Sequence, residues 1–318
     1  MSRLLALDWA FIRRALSTWG LLAWFLVLDI SHLLVELPVA QPLGHDAIIY
    51  ARGASAFLTG GSPWDAYLQG GTNVAHFAGL PPTVIAFLPF AALPEPLTGL
   101  IWVALAAGAS IAVLRRLRLP LWWLAFPPLV EGVYSGNPHM AILFLLICLP
   151  AWSWLAPVLK IYAVVPMVGE RQWRSLAVAG VIFAASLVVV PGLWATYLDG
   201  FAAISARLQV EAFGGFSAYR DPLLLAITLA ALALLALVDL RAAGWLAVPA
   251  VWPATQLHYA TLAFPVMTAP LGFLLALPVD GLPAVAIVAY AAYRLLRDGP
   301  DRLAVVRARF QARQAALS

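Results

Sequence analysis

Residues 42–67, PLGHDAIIYARGASAFLTGGSPWDAY, gather His45, Asp46, Tyr50, Arg52 and Asp65 inside a chain that is otherwise greasy. A carboxylate such as Asp46, at the lip of a membrane cavity and near solvent, can take a proton from an alcohol as a general base. An anionic leaving group would then need cations across the reacting carbon. Arg52, Lys160 and His258 are the candidates for that second task. The constellation fits displacement of a lipid phosphate by a hydroxyl. Metal chemistry is not expected, because no local group of His45, Asp46, His139 and His258 has the spacing of a zinc motif. The lone cysteine, Cys148, lies in an apolar run and excludes both a disulfide framework and a Cys-based metal site.

The elements that must position these groups are read from composition. Of 318 residues, 63% are hydrophobic and 11% charged, with a mean hydropathy of +0.90. Soluble domains carry roughly 25% charged residues, so the solvent of this chain is lipid. The expected fold is an all-α polytopic membrane protein, residues 1–318 forming a single integral membrane domain with roughly eight to ten transmembrane helices. The net charge of +4 follows the basic residues that cluster between apolar runs, which fits topology and not nucleic acid.

Arg3, Arg13 and Arg14 precede an apolar run from about Leu16 to Val35, read as a retained anchor that leaves the N-terminus in the cytoplasm. Residues 39–80 become a first periplasmic loop. Within it, DAIIYARGASAFLTG forms a short helix on the membrane surface, stopped at Gly60-Gly61, and TNVAHFAG forms a half-turn or short helix. LPPTVIAFLPFAALPEP is too short to span. Leu97–Leu114 spans and stops at Arg115, Arg116 and Arg118. The chain rises again from Leu119 to Tyr134, turns outside at SGNPH, and descends over 140–150. A proline-broken segment around Lys160 is re-entrant and closes at Glu170, Arg171 and Arg174. Residues 175–191 rise, 192–221 form a second periplasmic loop, and 222–238 descend to Asp239 and Arg241. The run 282–296 ends in a cytoplasmic amphipathic tail, residues 300–318, lying on the anionic inner leaflet. The tryptophans near the span ends read as an interfacial belt.

A charge near mid-membrane costs roughly 2.5 kcal/mol or more on insertion scales, so residues that persist in such places usually face a cavity. Lys160, the only lysine in the chain, reads as a cation awaiting a phosphate or carboxylate. His258 is its counterpart in the late, proline-rich region. Asn137 and His139 stand at a helix start, where unpaired N–H groups attract anions and where a cap or turn role is the alternative. Glu131 reads as the top of its helix. Asp29, His32 and Glu36 form a structural polar seam. Trp64 and Tyr67 are placed to stack on a sugar.

The ordered series GHDAIIYARGASAFLTGGSPWDAY, FAGLPPTVIAFLPFAALP, SGNPHMAILFLL, LAPVLKIYAVVPMVGERQWRS and WPATQLHYATLAFPV resembles the C-fold (GT-C) membrane glycosyltransferases. It is closest to glycosyltransferase family 87, the polyprenyl-phosphate-mannose-dependent type. The matching positions are Asp46, Tyr50, Gly61-Ser62-Pro63-Trp64, Leu80-Pro81-Pro82, Gly136-Asn137, Lys160 and His258. Leu80 stands where the family usually has an aromatic residue, and Gln256-Leu257 replace its usual Trp-Asp-like pair. The resemblance implies an inverting transferase with a polyprenyl-phosphate sugar donor and a lipid, glycan or protein hydroxyl acceptor. No cofactor is implied, and the donor, lacking a diphosphate, implies no metal. By position, Asp46 would be the base. Lys160, His258, Arg52, Asn137 and His139 would hold the donor phosphate or sugar, and Trp64, Tyr50 and His45 the acceptor. The site would face the periplasm of a bacterial inner membrane, a source to which the Ala-, Leu-, Trp- and Arg-rich composition also points. A transporter or flippase shares broken helices and buried charges but predicts inverted repeats, which the chain does not show. A non-catalytic scaffold predicts no penalty for replacing Asp46.

Overall fold

The structure, a computed structural model, describes residues 9–36, 41–70, 73–211 and 216–315. Arg3, the side chains of Arg13, Arg14, His32 and Glu36, and those of the tail from residue 299 lie outside what is described. The chain is mostly helical. Helix α1 (Trp9–Glu36) carries the first apolar run, and α2 (His45–Leu58) covers the polar stretch. Strands β1 (Tyr67–Gly70) and β2 (Asn73–His76) pair antiparallel, Tyr67 opposite His76 and Gly70 opposite Asn73. The half-turn or helix expected at TNVAHFAG is therefore a strand. Two short runs either side of a glycine pair are a hairpin pattern, and a local helical reading misses the partner strand.

Prolines then punctuate the chain. They open α3 (Pro81–Phe87), α4 (Glu95–Arg116) and α5 (Pro127–Tyr134) in the first turn, where a missing N–H is harmless and the fixed φ already helical. Helix α6 (His139–Ile147), α7 (Leu155–Leu159) and α8 (Val164–Gly169) are short pieces. Two longer helices, α9 (Trp173–Val189) and α10 (Pro191–Glu211), meet at 99° where Val190 leaves the helical region ahead of Pro191. Residues 192–221 thus begin as a helix. Helix α11 (Pro222–Val238) is capped by Asp221, α12 (Leu240–Val251) by Asp239, and α13 (Ala269–Leu275) by Thr268. A 3-10 segment, Leu257–Val266, carries His258. Helix α14 (Leu282–Ala315) joins the last apolar run and most of the tail in one element.

Among the described residues, one helix, Glu95–Arg116, is both long and apolar enough to cross a membrane, and the bent α9–α10 pair would add a second. The expected crossings at 119–134 and 140–150 are not single long helices. Helices α5 and α6 have 8 and 9 residues, so they reach about 12 and 14 Å against a hydrocarbon core of about 30 Å. Pro127-Pro128 and Pro150 set these lengths by removing N–H donors and excluding the helical turn before them. The turn between α5 and α6 is consequently buried inside protein and not on an outer surface: Asn137 is 2% exposed and His139 0%.

Two apolar clusters make the core. The larger joins Phe25 of α1, Phe126, Leu129 and Met140 of α5–α6, Trp245 of α12 and Ile287 of α14. The smaller joins Ile48 and Ile49 of α2, Trp64, Phe77, Phe87 and Trp102 with Leu193 and Ile204 of α10. Helix α2, expected on the membrane surface, instead buries Ala47, Ile48, Ile49 and Ala54 in this second cluster. Its first turn docks on the α5–α6 turn through Gly44 N–H to Tyr134 O and Asp46 N–H to Ser135 O, both 2.9 Å. Gly44 and Gly136 adopt φ of 74° and 64°, and a Cβ on Gly44 would strike the Gly99 backbone. Glycine is required there on both counts, positive φ and closeness of backbones.

Candidate functional site

The docking of α2 on the α5–α6 turn places Asp46 against Asn137. Asn137 Nδ2 donates to Asp46 Oδ2 at 2.6 Å, and Asn137 Oδ1 accepts from the His139 N–H at 3.1 Å. The amide orientation follows from chemistry. A backbone N–H can only be met by the carbonyl oxygen, so the NH2 must face the carboxylate. The other carboxylate oxygen, Oδ1, lies 3.9 Å from His45 Nε2. Asp46 keeps 9% exposure.

Lys160 approaches from the α7 side. It is the extended residue (φ −151°, ψ 124°) that interrupts the helical path between α7 and the following 3-10 turn. Thr83 of α3 steadies this break by donating to Val158 O at 2.8 Å. The ammonium sits among three rings, 5.7 Å from the centroid of Tyr50, 5.9 Å from Tyr162 and 5.3 Å from Tyr259. Among the described residues it makes one hydrogen bond, a long one of 3.4 Å to the Tyr259 hydroxyl. Cation–π contacts stabilise such a charge by about 0.5–2 kcal/mol while leaving its donors for an anion.

His258 is buried on the 3-10 segment beside α5. Its Nδ1 lies 3.3 Å from Glu131 Oε1, its ring stacks on Tyr259 at 4.9 Å, and its other face meets the His139 ring at 4.6 Å. Asp46 interacts electrostatically with both Lys160 and His258. Burial pushes the Asp46 carboxyl up, but His45, His258 and Lys160, with the Asn137 hydrogen bond, outweigh it and hold the group below the usual carboxylate value. Asp46 is therefore ionised at neutral pH and able to accept a proton.

The structure brings Asp46, His45, Tyr50, Asn137, His139, Lys160 and His258 together. Two expectations are corrected. Arg52 does not reach toward a phosphate: its Nε and Nη2 donate to Glu95 at 2.6 and 2.9 Å, and Nη1 donates to Tyr67 O at 2.6 Å. One turn and a half along α2 from Asp46, its guanidinium is spent tying α2 to α4 and β1. Trp64 is 2% exposed, packed on Phe77 and Tyr197 with its N–H donating to Gly79 O at 2.9 Å, so it has no free face for a sugar. Asn137, expected among donor ligands, is bonded to Asp46. Sequence reading passed over Tyr162 and Tyr259 and discounted Glu131. The tyrosines lie within two residues of Lys160 and next to His258, and that adjacency was the available signal.

Among the described residues, no three His, Cys, Asp or Glu side chains come together in a way that could hold a metal ion. No family model matches the chain, and no curated protein or solved structure does either.

Proposed function

We propose that this chain is a polytopic membrane glycosyltransferase. It moves a hexose, mannose by resemblance, from a polyprenyl-phosphate donor to a hydroxyl of a lipid, glycan or protein at the outer face. The apolar helices cross the bilayer several times, some as short pieces placed end to end where protein surrounds the broken backbone. Asp46 is the general base. Its Oδ1 takes the acceptor proton as the new bond to the anomeric carbon forms. The bond from that carbon to the phosphate oxygen breaks, and its electron pair leaves with the phosphate. The phosphate passes from one negative charge to two while Asp46 becomes neutral, so total charge is conserved. A single displacement inverts the anomeric carbon. Lys160 and His258 receive the growing phosphate charge, and Asn137 orients the base.

The observation that supports this reading is the meeting of one ionised, amide-oriented carboxylate with Lys160 and His258 in a mostly buried cluster. The test supplies purified protein in lipid nanodiscs with radiolabelled polyprenyl-phosphate mannose and a panel of lipid and peptide acceptors. Asp46→Asn is expected to slow transfer by at least about 10²-fold. Equal transfer by variant and wild type removes Asp46 as the base.

A further inference from the structure

Glu131 lies on α5 with its side chain 25% exposed, and its partner His258 is 1% exposed. With His258 Nδ1 turned to Glu131, Nε2 is on the far side of the ring, buried and without a hydrogen-bond partner. Both ring nitrogens of the stacked His139 are likewise buried and unpartnered. Buried polar atoms in this condition are rare, and a ligand is one physical reason for them. The backbone makes room for the pair, because a Cβ at Gly132 would strike the His139 ring and come within 3.0 Å of His258 Cβ.

Charge decides what the pair can bind. A buried imidazolium in the field of the Lys160 ammonium is unfavourable unless opposite charge lies against it. The groups that face His258 are Glu131 from α5, His139 from α6, Asp46 from α2 and its own neighbour Tyr259; Lys160, from the break after α7, bonds the hydroxyl of that Tyr259 and acts on both Asp46 and His139. Asp46 is bonded to Asn137 through one oxygen and is needed for the acceptor proton through the other. Glu131 is the carboxylate in direct contact with the ring.

We propose that Glu131 is a positioning residue: its carboxylate grips His258 at Nδ1 and offsets the charge of an imidazolium whose Nε2–H binds a phosphate oxygen beside Lys160. This rests on the reading of Lys160 and His258 as phosphate ligands. The ligand class is a phosphate monoester or diester, for which geranyl phosphate and inorganic phosphate are the probes.

Full-length protein labelled with [15N]histidine in detergent is titrated with each probe, the His258 signals being assigned by their loss in His258→Asn. Geranyl phosphate is expected to turn the wild-type His258 nitrogens to the imidazolium pattern. Glu131→Gln is expected to bind it about tenfold more weakly with an unchanged melting temperature, and to raise the donor KM more than it lowers kcat. Glu131→Asp, which restores the charge, is expected to recover part of the loss. Wild-type His258 staying neutral in the complex, or Glu131→Gln binding as tightly as wild type, overturns the role of Glu131 and leaves the phosphate site standing. Should Glu131→Gln not fold, the wild-type titration decides alone. Inorganic phosphate binding as tightly as geranyl phosphate overturns a lipid as the source of the phosphate. No binding of either probe by wild type overturns the phosphate site itself, and this inference with it.

Discussion

At the scale of single residues, the proposed role of Asp46 ties the pH behaviour to its protonation. The group is held below the usual carboxylate value, so its ionised form, and the stabilisation it brings, is fully present above about pH 4. Both are lost as pH falls through its lowered value in the folded protein. The rate of transfer is therefore expected to stay level through neutrality and to fall only below about pH 4. A rate that already halves near pH 6 would assign the base elsewhere. Asn137→Ala removes one of the interactions that favours the ionised form, so the acidic limb is expected to move to higher pH and kcat to drop, because the carboxylate also loses its orientation. A melting curve on the same sample separates this from unfolding. Lys160→Met keeps the length of the stem in its tyrosine box but removes the charge. Donor binding is expected to weaken by roughly tenfold or more, the scale of a lost charge-assisted contact.

At the scale of elements, the site depends on how closely α2 meets α4 and the α5–α6 turn. Gly44→Ala adds a Cβ against the Gly99 backbone at a positive φ. Strain and overpacking together are expected to cost about 2–4 kcal/mol, seen as a lower melting temperature and loss of transfer, since Asp46 N–H leaves Ser135 O. The Arg52–Glu95 pair also fastens α2, but its side chains are 35% and 46% exposed. Such pairs contribute under about 1 kcal/mol, so Arg52→Ala is expected to keep most of its transfer activity and nearly its full melting temperature. Strong loss of donor affinity in Arg52→Ala would return Arg52 to the phosphate site.

At the scale of the whole molecule, the proposed topology puts the arginines at helix ends on one side of the membrane. Two helices end with an arginine in the left-handed region, Arg118 after α4 and Arg171 after α8, each followed by a backbone bond that closes the terminus: Leu119 N–H to Leu114 O and Gln172 N–H to Met167 O, both 2.9 Å. Glycine fits this position with less strain. A basic side chain there meets the negative helix end, and under the proposed topology it would also face the anionic leaflet. Beside Arg171, Glu170 accepts from Arg241 and Trp245, and farther along the chain Arg294 bonds Asp239, Asp298 and Tyr290. The orientation is tested by cysteine labelling in a Cys148→Ala background. A cysteine at Thr59 is expected to react with an impermeant maleimide on intact cells, and one at Arg174 only after permeabilisation. The reverse pattern would invert the topology and put Asp46 on the inner side.

By itself the sequence determined the apolar, helical character of the chain, the helix that follows Gly44 and ends near Gly60, and the prolines that cut the 119–170 region into pieces, because these follow from composition and from local backbone chemistry. Asp46, Lys160 and His258 were also legible, because a charge or imidazole in so apolar a run is conspicuous without any neighbours. What only the tertiary structure decided is which polar residues meet. Arg52 and Trp64 have the right chemistry and lie near Asp46 in sequence, yet Glu95 and the Phe77–Tyr197 packing, distant along the chain, claim them. Asn137, Tyr259 and Glu131 gained their roles in the opposite way: contacts between elements far apart in sequence depend on backbone close approach, and no local pattern encodes which side chain lies across the gap.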